Sequence, residues 1–286
     1  MYRAIVSLTA AIAILVPARS ASAQTPRRVS TPHAKVELIA DRDTIGSGGV
    51  VWVGIRFELE PHWHIYWQNP GDSGGPPEVV WTLPPGMSAG AIEWPAPERI
   101  DSDGLISYGY RGVAVLPVQM KAAGLVRAST PVQIGASLKW IVCKDMCLPG
   151  HAQLALRLPP GPEDRLMVPA WRMALKDART LMPRPAPPNW RATALLHQTW
   201  FDVDVIAGET LATGVFFPFE PGQIDDTKPQ EVSPIPGGLR FRLHRSAQLT
   251  KDPRALRGVV SLPGGRAFIV TVPVALPPGG KKGGAP

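Results

Sequence analysis

The feature that most constrains the fold is a period-two alternation of apolar and polar residues, which recurs along most of the chain. In residues 51–59 an apolar side chain occupies every second position. Successive side chains of a strand point to opposite faces of its sheet, so this pattern predicts a half-buried β-strand. The same style predicts further strands at 113–120, 130–142, 151–158, 199–206, 211–217 and 239–244, and a hairpin from 259–262 to 267–272.

The 33 prolines support a strand-rich chain, because proline is tolerated at turns and sheet edges but breaks helices. Only residues 163–182 show apolar side chains at helical spacing, and Pro169 is expected either to lie in the first turn or to kink the helix. We therefore predict an all-β protein with a first β-sandwich over 35–160 and a second, smaller one over 189–275. A helix and a Pro-rich linker over 161–188 are expected to connect them.

The two ends of the chain show the composition of processed or disordered segments. Residues 1–23 have the basic start, short apolar run and small-residue end of a secretory signal peptide, with cleavage expected after Ala23. Residues 24–34 and 276–286 are polar and rich in Pro or Gly, which predicts disorder. We expect an exported mature chain without a transmembrane segment. The net charge of +7 is scattered, so no nucleic-acid partner is predicted.

A serine-protease motif occurs at 69–76, where NPGDSGGP contains the string that surrounds the nucleophile of chymotrypsin-like enzymes. In those enzymes the catalytic histidine and aspartate precede the serine, and the histidine lies on a whole preceding barrel. Ser73 lies too close to the start of the mature chain for such a barrel. The glycines instead predict a turn that uses positive φ angles.

The only two cysteines, Cys143 and Cys147, lie four residues apart. An even pair in an exported chain predicts a disulfide. Closing so small a ring contributes only ~2 kcal/mol on the chain-entropy model, against ~4.7 kcal/mol for a 100-residue loop. Because a chain of this length can bury its own core, a redox-active dithiol is favoured over a structural staple. The staple, in a sandwich that only scaffolds a partner, stays an alternative.

Parity along the preceding strand predicts where the pair points. Trp140 and Val142 share the core face of this strand, whereas Cys143 has the opposite parity. We therefore expect both thiols at an accessible hairpin tip, off the core face. Lys144 would favour a thiolate, and Asp145 would oppose it.

A metal site is the competing functional interpretation. Cys143, Cys147 and His151 are soft or borderline ligands, and His62 and His64 lie two residues apart on a possible strand. Met120 and Met146 would add thioethers suited to Cu(I), which suggests an exported copper-binding protein. The spacing of the cysteines, however, is not the usual C-x-x-C of metal sites.

Four segments together resemble the N-terminal periplasmic domain of the DsbD/ScsB family of membrane thiol:disulfide reductases. They are HWHIYWQNPGDSGGPP at 62–77, EWPAPERI at 93–100, YGYRGVAVLPV at 108–118 and WIVCKDMCLPG at 140–150. A fifth segment, FFPFEPGQIDDTKPQ at 216–230, is similar to the ScsB-like branch. The resemblance covers about 36–274, and its most specific element is the cysteine hairpin that Trp140 introduces.

The resemblance implies a periplasmic, immunoglobulin-like sandwich that needs no cofactor. Copper tolerance in the ScsB-like branch supports the alternative of a periplasmic copper-binding or copper-tolerance protein. Cys147 corresponds to the cysteine that forms mixed disulfides, and Cys143 to the resolving one. The segment that ends in Ser107, Tyr108 and Tyr110 takes the place of the family's shielding cap. Three further side chains are expected to support the pair: Tyr66, Trp140 and Lys144.

The partners implied by the resemblance are a thioredoxin-like electron donor and oxidised periplasmic acceptors. Disulfide isomerases and proteins of cytochrome c biogenesis are acceptors of this kind. The sequence shows no membrane electron conduit and no thioredoxin-like domain. We therefore expect that a separate membrane or thioredoxin-like protein reduces it, or that it is a carrier or scavenger with another donor. Three residues separate the cysteines, as in the ScsB-like branch, and Ser107 replaces the shielding phenylalanine.

Overall fold

The structure is a computed structural model that describes residues 27–46, 49–123, 130–160 and 169–276. The predicted signal peptide lies outside these ranges, as do residues 24–26, residues 277–286 and the first part of the predicted helix. In the N-terminal half the strands are, in chain order, β1 (Val29–Thr31), β2 (Ala34–Ala40), β3 (Val50–Leu59), β4 (His64–Gly71), β5 (Glu78–Thr82), β6 (Met87–Ile92), β7 (Glu98–Ser102), β8 (Leu105–Arg111), β9 (Val113–Ala122), β10 (Val132–Cys143) and β11 (Cys147–Leu158).

These strands form two facing sheets, which we call the N-terminal sandwich. One sheet has the order β1-β2-β3-β9-β6, and the other has the order β11-β10-β4-β8-β7, with β5 also paired to β10. The period-two pattern explains the packing, because alternate residues of β10 from Val132 to Val142 are buried while most of those between them are not. The predicted all-β sandwich is confirmed.

The N-terminal segment is more ordered than its composition suggested. Residues Val29–Thr31 pair antiparallel with β2, so the predicted disorder over 24–34 is wrong for this stretch. The Arg28 guanidinium also lies 2.9 Å from the buried Glu37 carboxylate. Backbone pairing and this ion pair supply the order that the polar composition alone could not predict.

One helix follows the N-terminal sandwich, α1 (Pro169–Thr180). It begins at the proline that was expected to lie in its first turn or to kink it, and in the first turn the missing N–H costs nothing. Leu175 and Ala178 are buried against Ile39 and Val115 on the outer side of the first sheet. At Gly54 a Cβ atom would crowd Leu175, so the glycine allows the helix to approach β3 closely.

The remaining strands form an eight-stranded sheet, which we call the C-terminal sandwich. They are β12 (Arg184–Pro185), β13 (Arg191–Leu196), β14 (Trp200–Ile206), β15 (Val215–Pro218), β16 (Glu231–Ile235), β17 (Gly238–His244), β18 (Ala255–Leu262) and β19 (Arg266–Ala275). The order is β15-β18-β19-β13-β14-β17-β16, and β12 pairs with β19. Gly264 and Gly265, both at positive φ, form the predicted hairpin turn between β18 and β19.

The two sandwiches share buried surface. Phe217, Val259 and Ala267 of the C-terminal sandwich belong to the same buried cluster as the core of the N-terminal one. Trp67 packs between the two, with ring centroids 6.2 Å from Phe217 and 5.7 Å from Phe219. Each sandwich also has a buried cluster of its own, and the division into separate domains at 35–160 and 189–275 stays a prediction.

Candidate functional site

The two cysteines form a disulfide at the end of the β10–β11 hairpin. Cys143 and Cys147 are directly opposite in the antiparallel register, and their Cα atoms are 4.2 Å apart. The Lys144 N–H donates a hydrogen bond to the Met146 carbonyl, which closes the tip. The three residues between the cysteines are exposed, so the ring projects from the sheet.

The two sulfurs differ in their surroundings. Cys147 is exposed, whereas Cys143 is only 2% exposed. Cys143 faces away from the Trp140 side of β10, as its parity predicted, but the prediction that it is accessible is wrong. Its strand position pairs with His64 of β4, and side chains from that strand cover it. An incoming reactant therefore meets Cys147 first.

Tyr66 is the side chain that covers the Cys143 sulfur. Its hydroxyl donates a hydrogen bond to Cys143 Sγ at 2.8 Å and lies 3.5 Å from Cys147 Sγ. Tyr66 lies two residues after His64, so both side chains project to the same face of the sheet as Cys143. A phenol donor at this distance would stabilise a thiolate on Cys143 more than a neutral sulfur.

Residues 71–76, which we call the glycine loop, hold Tyr66 in place from above. Gly74 has a φ of 82°, and a Cβ atom there would overlap the Tyr66 ring. Gly71 has a φ of 84°, and a Cβ atom there would crowd the Ile106 carbonyl. The NPGDSGGP stretch is therefore the predicted glycine turn, and its glycines let the backbone approach a tyrosine beside the disulfide.

Trp140 and Lys144 support the hairpin in different ways. Trp140 is buried on the core face of β10, edge-on to Phe57 at 5.6 Å, and Gly150 on β11 leaves room for its indole. It fixes the base of the hairpin from the face opposite to the sulfurs. Lys144 is exposed and its Nζ lies 3.5 Å from the Asp145 carboxylate, which offsets its charge near Cys147.

His64 is a site residue that the sequence indicated only as a metal ligand. It is 1% exposed, and its ring lies edge-on to Tyr66 at 5.1 Å. Burial, with a smaller contribution from the Arg111 charge, lowers the pKa of His64 to about 4. The imidazole is therefore neutral at neutral pH. The alternation in HWHIY could have placed it beside Cys143, had the pairing of β4 with β10 been known.

Comparison with known proteins identifies the cysteine-bearing part of the chain. Residues 35–159 match the family described as thiol:disulfide interchange protein DsbD, N-terminal. Over this segment the chain is similar to the DsbD N-terminal family. The match contains β2 to β11 and both cysteines, so the disulfide lies in the part of the chain that is similar to a thiol:disulfide interchange family. A comparison with curated protein sequences finds no significant match.

Solved structures extend the fold match beyond the DsbD N-terminal segment. The N-terminal periplasmic domain of ScsB from Proteus mirabilis aligns with a TM-score of 0.66 and 20% sequence identity, over 87% of this chain and 97% of that one. The yeast GGA1 GAE domain aligns with a TM-score of only 0.27 and 9% identity, over 46% of this chain and 98% of that one. The ScsB alignment shows that the fold is shared across both sandwiches.

The predicted cap of this DsbD-like segment needs correction. Residues 105–111 form strand β8 rather than a loop, and Tyr66 pairs with Gly109 between the two tyrosines. Tyr108 and Tyr110 therefore face the core, away from the disulfide, and their hydroxyls donate hydrogen bonds to Asp226 and Pro95. Ser107 is buried on the other face, and its shielding role stays a prediction.

Of the metal ligands proposed from the sequence, His64 lies opposite Cys143 and Met146 lies in the hairpin tip, but the others do not join them. His151 lies four residues along β11 from Cys147, a separation of roughly 13 Å in an extended strand. Met120 is buried in the core of the N-terminal sandwich, and His62 lies exposed in a turn at a φ of 71°. Within the described ranges, no three His, Cys, Asp or Glu side chains form a group that could hold a metal ion.

No helix within the described residues is long and apolar enough to cross a bilayer.

Proposed function

We propose that this chain is an exported, periplasmic thiol:disulfide interchange protein that passes reducing equivalents to oxidised proteins through Cys143 and Cys147. The observation that carries the proposal is the asymmetry of the pair. One sulfur is exposed at the hairpin tip, and the other is covered and hydrogen-bonded to Tyr66. This is the arrangement that a two-step exchange needs, with one attacking and one resolving sulfur.

The proposed exchange begins with the reduced pair. The Cys147 thiolate attacks one sulfur of the partner's disulfide, forms a mixed disulfide and releases the other partner sulfur as a thiolate. The Cys143 thiolate then attacks Cys147 Sγ, which closes the Cys143–Cys147 disulfide and releases the second partner thiolate. In the two steps together, the partner gains two electrons. Its two thiolates then take up protons from solvent to the extent that their pKa values set.

The chain's own residues favour the second step. Cys143 is held opposite Cys147 by the β10–β11 register, so its attack needs no large movement of the backbone. The Tyr66 hydroxyl lies within hydrogen-bond distance of both sulfurs, so it can donate to whichever sulfur carries the negative charge. Its donor therefore stabilises the thiolate on Cys143 before the attack.

A structural staple explains these features less well. A five-residue ring contributes only ~2 kcal/mol, and both sandwiches already have extensive buried cores. A staple also gains nothing from an exposed sulfur beside a hydroxyl donor. The inert alternative therefore accounts for the disulfide but not for its surroundings.

The partners follow from the resemblance and form part of the proposal. The donor is a separate membrane or thioredoxin-like protein, and the acceptors are oxidised periplasmic proteins, among them those of cytochrome c biogenesis. The exposed tip from Lys144 to Cys147 leaves room for a partner's polypeptide to approach the reacting sulfur.

The decisive experiment equilibrates the purified protein with glutathione redox buffers and measures the fraction of the Cys143–Cys147 disulfide. We expect a potential between roughly −120 and −270 mV, the range of proteins that exchange disulfides. A potential below about −300 mV, typical of structural disulfides, would contradict the proposal.

A matched pair of variants tests the roles of the two sulfurs. Cys143→Ser leaves an exposed Cys147 that should retain mixed disulfides with an oxidised thioredoxin-like protein. Cys147→Ser leaves only the covered Cys143 and should retain few. Equal trapping by both variants, measured by mass spectrometry of non-reduced complexes, would remove the assignment of attacking and resolving sulfurs.

A further inference from the structure

We propose that Asn69 is a positioning residue through which the C-terminal sandwich holds the glycine loop over Tyr66 and keeps the Cys143 sulfur covered. This gives the C-terminal sandwich a part in the redox site although it contains no cysteine. The consequence for disulfide exchange rests on the function proposed above. The positioning itself depends only on contacts between the two sandwiches.

Asn69 is completely buried and uses both ends of its amide. Its Nδ2 donates a hydrogen bond to the Pro218 carbonyl of β15 at 2.8 Å. Its Oδ1 accepts one from the Gly71 N–H at 3.1 Å. A buried polar group of this kind is costly unless both ends are satisfied. The amide therefore joins the C-terminal sandwich to the first residue of the glycine loop.

Apolar contacts fix the same junction. Trp67, two residues before Asn69, packs against Phe217 and Phe219, the two neighbours of Pro218. Trp67 and Asn69 thus both contact the C-terminal sandwich, whereas Tyr66 of the same strand contacts the Cys143 sulfur. Strand β4 therefore links the C-terminal sandwich to the disulfide over only a few residues.

The glycine loop completes the connection. Asp72 exchanges two hydrogen bonds with Ile106 of β8, through its backbone N–H at 2.9 Å and its carboxylate at 2.8 Å. Gly74 then lies against the Tyr66 ring. The contacts thus run without interruption from the Pro218 carbonyl to the Cys143 sulfur. Loss of the Asn69 bonds should leave the loop held to β8 alone, through Gly71 and Asp72.

The test measures how fast each thiol is alkylated by iodoacetamide after reduction with dithiothreitol, using peptide mass spectrometry to separate Cys143 from Cys147. Asn69→Ala should raise the Cys143 rate by roughly five- to tenfold, the factor expected when opening becomes easier by one buried hydrogen bond. The rate at the exposed Cys147 should change little. The reduction potential measured in glutathione buffers should shift as well, because a covered thiolate and an uncovered one differ in stability.

Tyr108→Phe is the matched control. It removes a hydrogen bond across the same junction, the 2.6 Å contact with Asp226, but from the core face and not through the glycine loop. It should leave the Cys143 rate unchanged. If Asn69→Ala does not fold, the test uses Asn69→Ser instead. The serine hydroxyl oxygen can still accept a hydrogen bond from the Gly71 N–H.

Two results would overturn the inference: a folded Asn69 variant with the wild-type Cys143 rate, or an equal rise in the Tyr108→Phe control. The second would show that any loosening of the junction uncovers the sulfur. The alkylation contrast needs no partner protein and no particular potential. It can therefore fail while the exchange function holds, or hold while the exchange function fails.

Discussion

Gly74 lies against the phenol ring of Tyr66 with its backbone at a φ of 82°, so the loop and the ring fit only in the absence of a side chain. Gly74→Ala should therefore displace the Tyr66 ring and expose Cys143. Overpacking of this kind costs about 1–3 kcal/mol in addition to the strain of a positive φ. Thermal or denaturant unfolding, together with alkylation of Cys143, measures both effects.

Gly104→Ala is the control for that substitution. Gly104 has a nearly identical φ of 85°, and nothing lies within 4 Å of the Cβ atom that alanine would add. It should therefore show the backbone strain alone, without a change at the cysteines. Equal effects of the two substitutions would mean that Gly74 does not press on the ring.

Tyr66→Phe tests the hydrogen bond to the Cys143 sulfur. The hydroxyl stabilises a Cys143 thiolate more than it stabilises the disulfide, so its loss should raise the pKa of the Cys143 thiol. A loss of about 1 kcal/mol in the reduced form corresponds to a potential lower by roughly 20 mV. Glutathione equilibration at a pH where Cys143 is ionised measures the shift. A raised potential would show that the hydroxyl favours the oxidised form.

His64 should make stability depend on pH. Its folded-state pKa of about 4 lies below the ordinary value of 6.5, so the unfolded chain binds the proton more tightly. The contribution of His64 is present above about pH 6.5 and is lost as the pH falls towards 4. His64→Phe should flatten the curve of unfolding free energy in this window. The exposed neighbour His62, replaced by Asn to suit its positive φ, should leave the curve unchanged.

Asp226, at the junction of the sandwiches, should make stability depend on pH in the direction opposite to His64. Burial raises its pKa from 3.8 to about 6, against the lowering effect of the Tyr108 hydrogen bond. The folded state therefore binds the proton more tightly than the unfolded chain. The resulting contribution to the free energy of unfolding is present below about pH 4 and is lost as the pH rises to about 6. The stability of Asp226→Asn relative to wild type should therefore increase as the pH rises across that window. The exposed Asp252, changed to Asn, serves as the reference and should show no such gain.

The sequence predicted those parts of the fold whose signal is local. Residues 51–59 and 130–142 alternate regularly, and both became central strands of buried sheets. The turn at 69–76 was likewise predictable from its glycines, and the helical spacing over 163–182 predicted a helix where the structure describes α1. Strand β8 was not, because ISYGY is buried on both faces and so shows no polar alternation.

The site was predicted in its chemistry but not in its arrangement. The cysteine pair and its face could be read from spacing and parity. The burial of Cys143 could not, because it depends on β4 crossing to the end of β10, a pairing between residues 79 positions apart. The same pairing brings His64 and Tyr66 to the sulfurs. Tyr108 and Tyr110 were assigned to the cap from the resemblance, and the pairing of β8 with β4 turns them towards the core.

The unequal exposure of the two sulfurs also has a consequence under oxidative stress. If the pair is redox-active as proposed, a peroxide that reaches the reduced protein should meet Cys147 first and convert its thiolate to a sulfenic acid. Cys143, sheltered beneath Tyr66, keeps its thiol and can condense with that sulfenic acid, releasing water and restoring the disulfide. Formation of the disulfide would thereby prevent further, irreversible oxidation of Cys147, the more exposed of the two cysteines.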